Sequence, residues 1–286
     1  MPSSSPTVAG WELVLRLRER REQLGVEVRK ITDALGFSRN YWSAVENERK
    51  TLSEESLVRL LELLEFDEDD TRELLALRDA SRQRGWWTRY SSLFDTDLQR
   101  LFGLEHGAES IRGYESLLIP GLLQTADYAR AIMTPSVTVR RVEVDQRVEV
   151  RLRRQERLTG ENPLRLTAII SEAALRQQIG GPVVLRAQLD HLARTIEERA
   201  DNIEVLVIPF TAVSCGLFGA ATIHLLDFAN VNLPTVVWQE TVSSWGIIDS
   251  VTQVRDIAIS FDEARRHTLN REDSLSLIHR STKELA

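Results

Sequence analysis

The chain of 286 residues has a single cysteine, Cys215. No disulfide can close within it and no cysteine-rich metal site can form, a usage that fits a reducing cytosol. Its five histidines (His106, His191, His224, His267 and His279) show no paired ligand spacing, so no metal site is expected. Neither common glycine-rich phosphate-binding motif occurs, and no cofactor is expected. No apolar run approaches the roughly 20 residues of a membrane span. The opening "MPSSSPTVAG" has no apolar core behind a basic head, so a secretory leader is not expected either and the chain is placed in the cytoplasm. Net positive charge is also missing. A formal charge of −7 argues against a protein that coats nucleic acid along its length. It leaves room for a local basic face, because charges act strongly only within a Debye length of about 10 Å. There is no internal repeat and no low-complexity linker.

What is present begins with an apolar fraction of 42%, enough for a real core, in a length that suits two domains. Residues 11–84 read as five short helices with tight turns. Leu13, Leu17 and Leu24 mark the first, which stops at Gly25. Ile31 and Leu35 lie one turn apart on the second, and Gly36 ends it. Ser38 is a good N-cap for the third, whose inward side would be Trp42 and Val45. Leu57, Leu60, Leu61 and Leu64 form the stripe of the fourth, behind Ser53, Glu54 and Glu55. The fifth starts near Asp67 and ends by Gly85.

The stretch "GFSRNYWSAVENERK" at 36–50 has the layout of a helix that lies in a DNA groove. A helix-turn-helix needs a supporting helix, a tight turn and a second helix whose first side chains reach base edges. Arg39 and Asn40 would project from that first turn; arginine suits the paired acceptors of guanine, asparagine the donor and acceptor of adenine. Ser43 and Ala44 complete the base-reading set, with Ala44 placed to meet a thymine methyl. Ser38, Tyr41, Asn47, Arg49 and Lys50 are assigned to the DNA backbone. Charge is distributed accordingly. Residues 11–52 carry nine basic against seven acidic side chains, a local +2, whereas 53–80 hold three arginines against ten acids.

Residues 13–64 resemble the lambda-repressor/Cro-like (Xre-type) helix-turn-helix domain, with "LGFSRNYWSAVENER" in register with its turn and recognition helix. There are departures. Val28 stands where the family usually has glutamine, Thr32 replaces a common alanine, Arg20 an apolar residue, and Glu48 the usual glycine after Asn47. Farther on, "RGWWTRY" at 84–90, "LEHGAESIRGYESLLIPGLLQTADYARAIM" at 104–133 and "EAALRQQIGGPVVLRAQLDHL" at 172–192 resemble actinobacterial regulators with an antitoxin-like C-terminal domain, some of the WhiJ type. The resemblance implies a transcriptional regulator, often paired with a small protein encoded beside it, and brings no catalytic residue set.

After Gly85 the composition changes. Amphipathic helices are expected over about 94–110, 124–133 and 138–158, and strands at 164–171, 203–210, 221–228 and 234–240. Between the first two strands lies a helix started by Gly181 and Pro182, and two helices over about 250–267 and 271–285 close the chain. The expected architecture is an N-terminal all-α five-helix domain at 1–84 followed by an α+β domain at 85–286 with a small mixed or antiparallel sheet. Trp86, Trp87, Tyr90, Tyr114 and Tyr128 are candidate aromatic anchors for a partner or effector. Arg147, Arg151, Arg154 and Arg157 read as a solvated, salt-bridged helix face, with a second DNA contact or a surface for an acidic partner as the alternatives. Cys215 with His224 invites a thiol-nucleophile reading, but nothing in the sequence brings the two together, and no enzymatic activity is expected. The expectation is a homodimeric regulator on double-stranded DNA, without a membrane, controlled through its C-terminal domain. The alternatives are an antitoxin-like module that sequesters a partner with little DNA binding, and a small-molecule sensor.

Overall fold

The computed structural model describes residues 5–285. The chain divides into two compact units, with the division between Arg89 and Tyr90. The first contains α1 (Pro6–Gln23), α2 (Val28–Leu35), α3 (Arg39–Glu46), α4 (Glu54–Leu63) and α5 (Glu68–Ser81). Leu13, Leu17, Ile31, Leu35, Trp42, Val45, Leu57, Leu60, Leu61, Leu64 and Leu74 share its core.

The helix ends are built by capping. Ser38, Ser53 and Asp67 each accept a hydrogen bond from the backbone N–H three residues on, satisfying one donor that a helix start leaves open. Gly36 closes α2 with φ at +69°, a left-handed conformation that costs glycine nothing and lets the chain turn within two residues into α3. Arginines close the other ends. Arg20 donates to the carbonyls of Leu64 and Glu65 just past α4, Arg59 to that of Ala34 in the last turn of α2, and Arg18 to that of Glu46 in the last turn of α3. Arg20, the departure from an apolar position, is therefore a helix C-cap contributed by a neighbouring helix.

The second unit is α+β, around a six-stranded mixed sheet in the order β3-β2-β1-β4-β5-β6. The strands are β1 (Ser110–Glu115), β2 (Arg165–Ser171), β3 (Ile203–Ile208), β4 (Thr222–Asp227), β5 (Val236–Glu240) and β6 (Trp245–Ile248). β1, β2 and β3 run parallel; β4 joins β1 antiparallel, and β5 and β6 follow as an antiparallel meander. The helices are α6 (Thr96–Gly107), α7 (Ala126–Met133), α8 (Val144–Gln155), α9 (Ala173–Arg176), α10 (Pro182–Glu198), α11 (Val251–Arg265) and α12 (Arg271–Lys283). α7 and α8 lie in the β1-to-β2 connection, α9 and α10 in the β2-to-β3 connection, as parallel strands require.

Four of the six strands coincide with the expected segments. β1 and β6 do not, and β1 is the strand on which parallel and antiparallel halves meet. Its sequence "SIRGYE" has one β-branched residue and an internal glycine, so local preference says little. Gly113 is there for space: a Cβ would stand 3.2 Å from Cδ2 of His224 on β4.

Alternation sends the sheet's side chains to two faces. One face holds Tyr114, Ile169, Leu206, Ile223, Leu225 and Val237, packed with Phe261 and Ala264 of α11. The other carries Gly113 and Glu115 of β1, opposite His224 and Thr222 of β4, which in turn lie opposite Trp238 and Glu240 of β5.

Candidate nucleic-acid interface and the interior of the C-terminal unit

In α3 the buried and open sides separate as the spacing predicts. Trp42 and Val45 are buried at 4% and 3% exposure, whereas Arg39, Asn40, Ser43, Asn47, Arg49 and Lys50 are exposed. The side chains of Arg39, Asn40 and Arg49 have no hydrogen-bonding or ionic partner among the described residues. Arg39 and Asn40 in the first turn of α3 and Arg49 just past its end keep their side-chain donors unspent and available to an external partner. The helix start disfavours the charge of Arg39 by about 0.3–1 kcal/mol, which an anionic partner would offset.

The proposed backbone residues divide. Lys50 lies over the Tyr41 ring with Nζ 5.0 Å from its centroid, and Tyr41 packs on Phe37 at 4.6 Å. That stack holds Lys50 beside the helix. Asn47 donates through Nδ2 to the Ser43 carbonyl at 2.7 Å, so its amide closes the helix end before it serves anything outside. The Ser38 hydroxyl oxygen accepts from the Tyr41 N–H. Glu48 has φ at +58°. The backbone here is left-handed, which accounts physically for the glycine usual at this position and makes glutamate a strained choice by about 1 kcal/mol. Val28 begins α2 and packs partly against the core, and Thr32 is buried with its hydroxyl on the Arg29 carbonyl.

Several aromatic candidates of the second half are interior rather than exposed. Tyr114 and Tyr128 are 1% and 0% exposed, because Tyr114 points from the central strand into the α11 face and the Tyr128 hydroxyl accepts from the Ile119 N–H. Burial pushes both phenols up to about 12. Tyr90 is buried and donates to the Glu149 carboxylate at 2.7 Å. Trp87 is buried as well, its indole so close to Gly85 that a Cβ there would lie 2.3 Å from the ring. Trp86 alone of the five is half-buried, edge-on to Trp87 at 5.8 Å.

The arginine row of α8 also corrects the expectation of a solvated face. Arg154, with a tenth of its side chain exposed, holds Glu105 of α6 through two bonds of 2.8 and 2.7 Å and lies over the Phe102 ring. Arg147 donates to Glu143 and to the Leu93 carbonyl and lies over Phe94. Arg157 donates to the carbonyls of His106 and Ala108, closing the end of α6. Arg151 donates to the amide oxygen of Gln124 at 2.5 Å. A signal was present. On a wheel of about 3.6 residues per turn, Arg147, Arg151 and Arg154 fall between Val150 on one side and Val144 and Val148 on the other, and all three valines are buried.

Between this helix and the Glu115–His224–Trp238 face of the sheet lies a cavity of about 430 Å³. Cys215 packs with the core on the opposite face of the sheet, so it does not meet His224, whose Nε2 is 3.5 Å from Glu115.

Residues 98–280 match a family described as a domain of unknown function (DUF5753), and residues 12–74 match one described as a helix-turn-helix domain. No curated protein and no solved structure matches the chain. No helix among the described residues is long and apolar enough to cross a membrane.

Proposed function

We propose, from the premise that this chain belongs to the DUF5753 family and carries a helix-turn-helix domain ahead of that region, that it regulates transcription from two-fold operators as a cytoplasmic homodimer. The helix-turn-helix match supports DNA binding by a regulator; the dimer, the operator geometry and the residue roles are our reading. Two α3 helices would enter successive major-groove faces about 34 Å apart. Arg39 would read a guanine, Asn40 an adenine, with Ser43 and Ala44 on the neighbouring bases and Arg49 and Lys50 on phosphates. One observation carries the assignment: Arg39 and Asn40 are exposed and without partners among the described residues, on a helix whose back is pinned by Trp42 and Val45. A single copy reaches few phosphates, and binding through charge weakens steeply as salt rises, so two copies acting together are favoured. The second unit, 90–286, is assigned to dimerisation and to control, including by a small partner protein, and no catalytic step is assigned to it.

A gel-shift titration against the region upstream of its own gene tests the reading. Arg39→Ala and Asn40→Ala should each weaken binding by about tenfold or more and relax preference at one base position. Unchanged affinity and unchanged preference overturn it. Glu48 favours a second reading, in which the chain sequesters a partner and binds little DNA, because an acid beside the proposed phosphate-binding residues repels the DNA backbone. Measuring DNA binding with and without co-purified protein separates the two.

A further inference from the structure

We infer that the cavity of the second unit is a ligand site for a small organic carboxylate with an apolar body, its carboxylate held by Arg151. The inference goes beyond the regulatory reading and stands whether or not the first unit binds DNA.

The charges around the cavity do not balance at one point. Arg147 has the Glu143 carboxylate at 3.1 Å and Arg154 has Glu105 at 2.7 Å. Arg151, between them on α8, has no carboxylate within ion-pair distance among the described residues; its one bond goes to the neutral Gln124 amide, and its buried Nε has no partner. A guanidinium presents five N–H donors in a rigid fork, and one drawn largely out of water with no carboxylate in direct contact is costly. Burial and the nearby Arg154 charge pull Arg151 down to about 10, only partly opposed by the more distant charges of Glu240, Glu115 and Glu105. The side chain is nevertheless held in place. Gln124, itself 2% exposed, anchors it while donating to the Ile119 carbonyl at 2.6 Å and accepting from Gln155 on its backbone oxygen. This is a positioned cation aimed into a cavity.

The rest of the lining selects among anions. Phe94, Leu98, Leu101, Ile132 and Met133 give an apolar wall that inorganic ions cannot use. Glu115 and Glu240 face the same space from the sheet. Glu115 accepts from Thr222 at 2.7 Å and Glu240 from the Trp238 indole, so both carboxylates are held there. Two carboxylates beside one unpaired guanidinium oppose a dianion such as phosphate, whereas a single carboxylate matches the guanidinium fork by two parallel bonds. His224 offers one more polar contact, since its buried Nδ1 has no partner. The volume of about 430 Å³ lies in the range of small-molecule sites.

The test is calorimetric titration of the full chain, after exhaustive dialysis, with phenylacetate and octanoate, each against its primary amide, and with inorganic phosphate. At least one carboxylate should bind about tenfold or more tightly than its amide, because the amide cannot pair with a charged fork. Phosphate should not compete. Arg151→Met should abolish the preference for carboxylate over amide. Ile132→Trp, which fills the cavity and leaves the arginine row intact, should abolish binding of both and serves if Arg151→Met does not fold. Binding of neither carboxylate up to about 10 mM, equal binding of acid and amide, or an undiminished preference in either variant overturns the inference.

Discussion

Arg154 and Glu105 form a two-point ion pair in the interior of the second unit, Nε to Oε1 at 2.8 Å and Nη2 to Oε2 at 2.7 Å, across 49 residues of sequence. Burial alone would lower the Arg154 guanidinium; the Glu105 carboxylate more than reverses this and leaves it raised. Removing one partner exposes the full desolvation cost of the other. Glu105→Gln should therefore destabilise the protein by about 3–5 kcal/mol, whereas Glu105→Leu with Arg154→Met should fall much closer to the parent. Urea unfolding of the two variants checks this, and equal losses in both would show the pair to be mere packing.

Arg20 ties the end of α4 to α1 by donating to the Leu64 and Glu65 carbonyls at 3.0 and 2.8 Å. Arg20→Ala should lower stability by about 1–2 kcal/mol, and Arg20→Leu should not recover it, since the partners left open are carbonyls and not an apolar pocket. Thermal melting of the purified variants gives the comparison.

Glu48, at φ +58°, separates stability from binding. Glycine at this position relieves left-handed strain of about 1 kcal/mol but adds a similar amount of unfolded-chain entropy. These two terms nearly cancel, and Glu48→Gly should tighten DNA binding through the loss of a negative charge. A large shift in melting with no change in affinity contradicts this.

Tyr114 and Tyr128 predict an alkaline transition. Burial raises both to about 12, above the usual phenol value near 10. Between those values the folded chain holds protons that the unfolded chain releases, so stability present below about pH 10 is lost as pH rises towards about 12. Urea midpoints from pH 9 to 12 should fall with pH, and Tyr128→Phe should make the fall shallower. A midpoint independent of pH over this range removes the argument.

Sequence alone determined the elements whose causes are local. Ser38 caps a helix that begins at the next residue, Gly36 turns the chain with no Cβ to obstruct it, and Trp42 and Val45 lie one turn apart on the inner side of α3. The leucines of α4 and the apolar runs of β2 to β5 are legible for the same reason: their periodicity lies within a few residues. Tertiary structure alone decided the rest. β1 is a strand because Arg165 and Asp227 stand on either side of Ser110, 55 and 117 residues away, and no local preference in "SIRGYE" encodes those neighbours. The periodicity of α8 sets its arginines among buried valines, but the acceptors they meet there, Glu105 and Gln124, come from distant segments, and a guanidinium is tolerated in the interior only where such acceptors meet it.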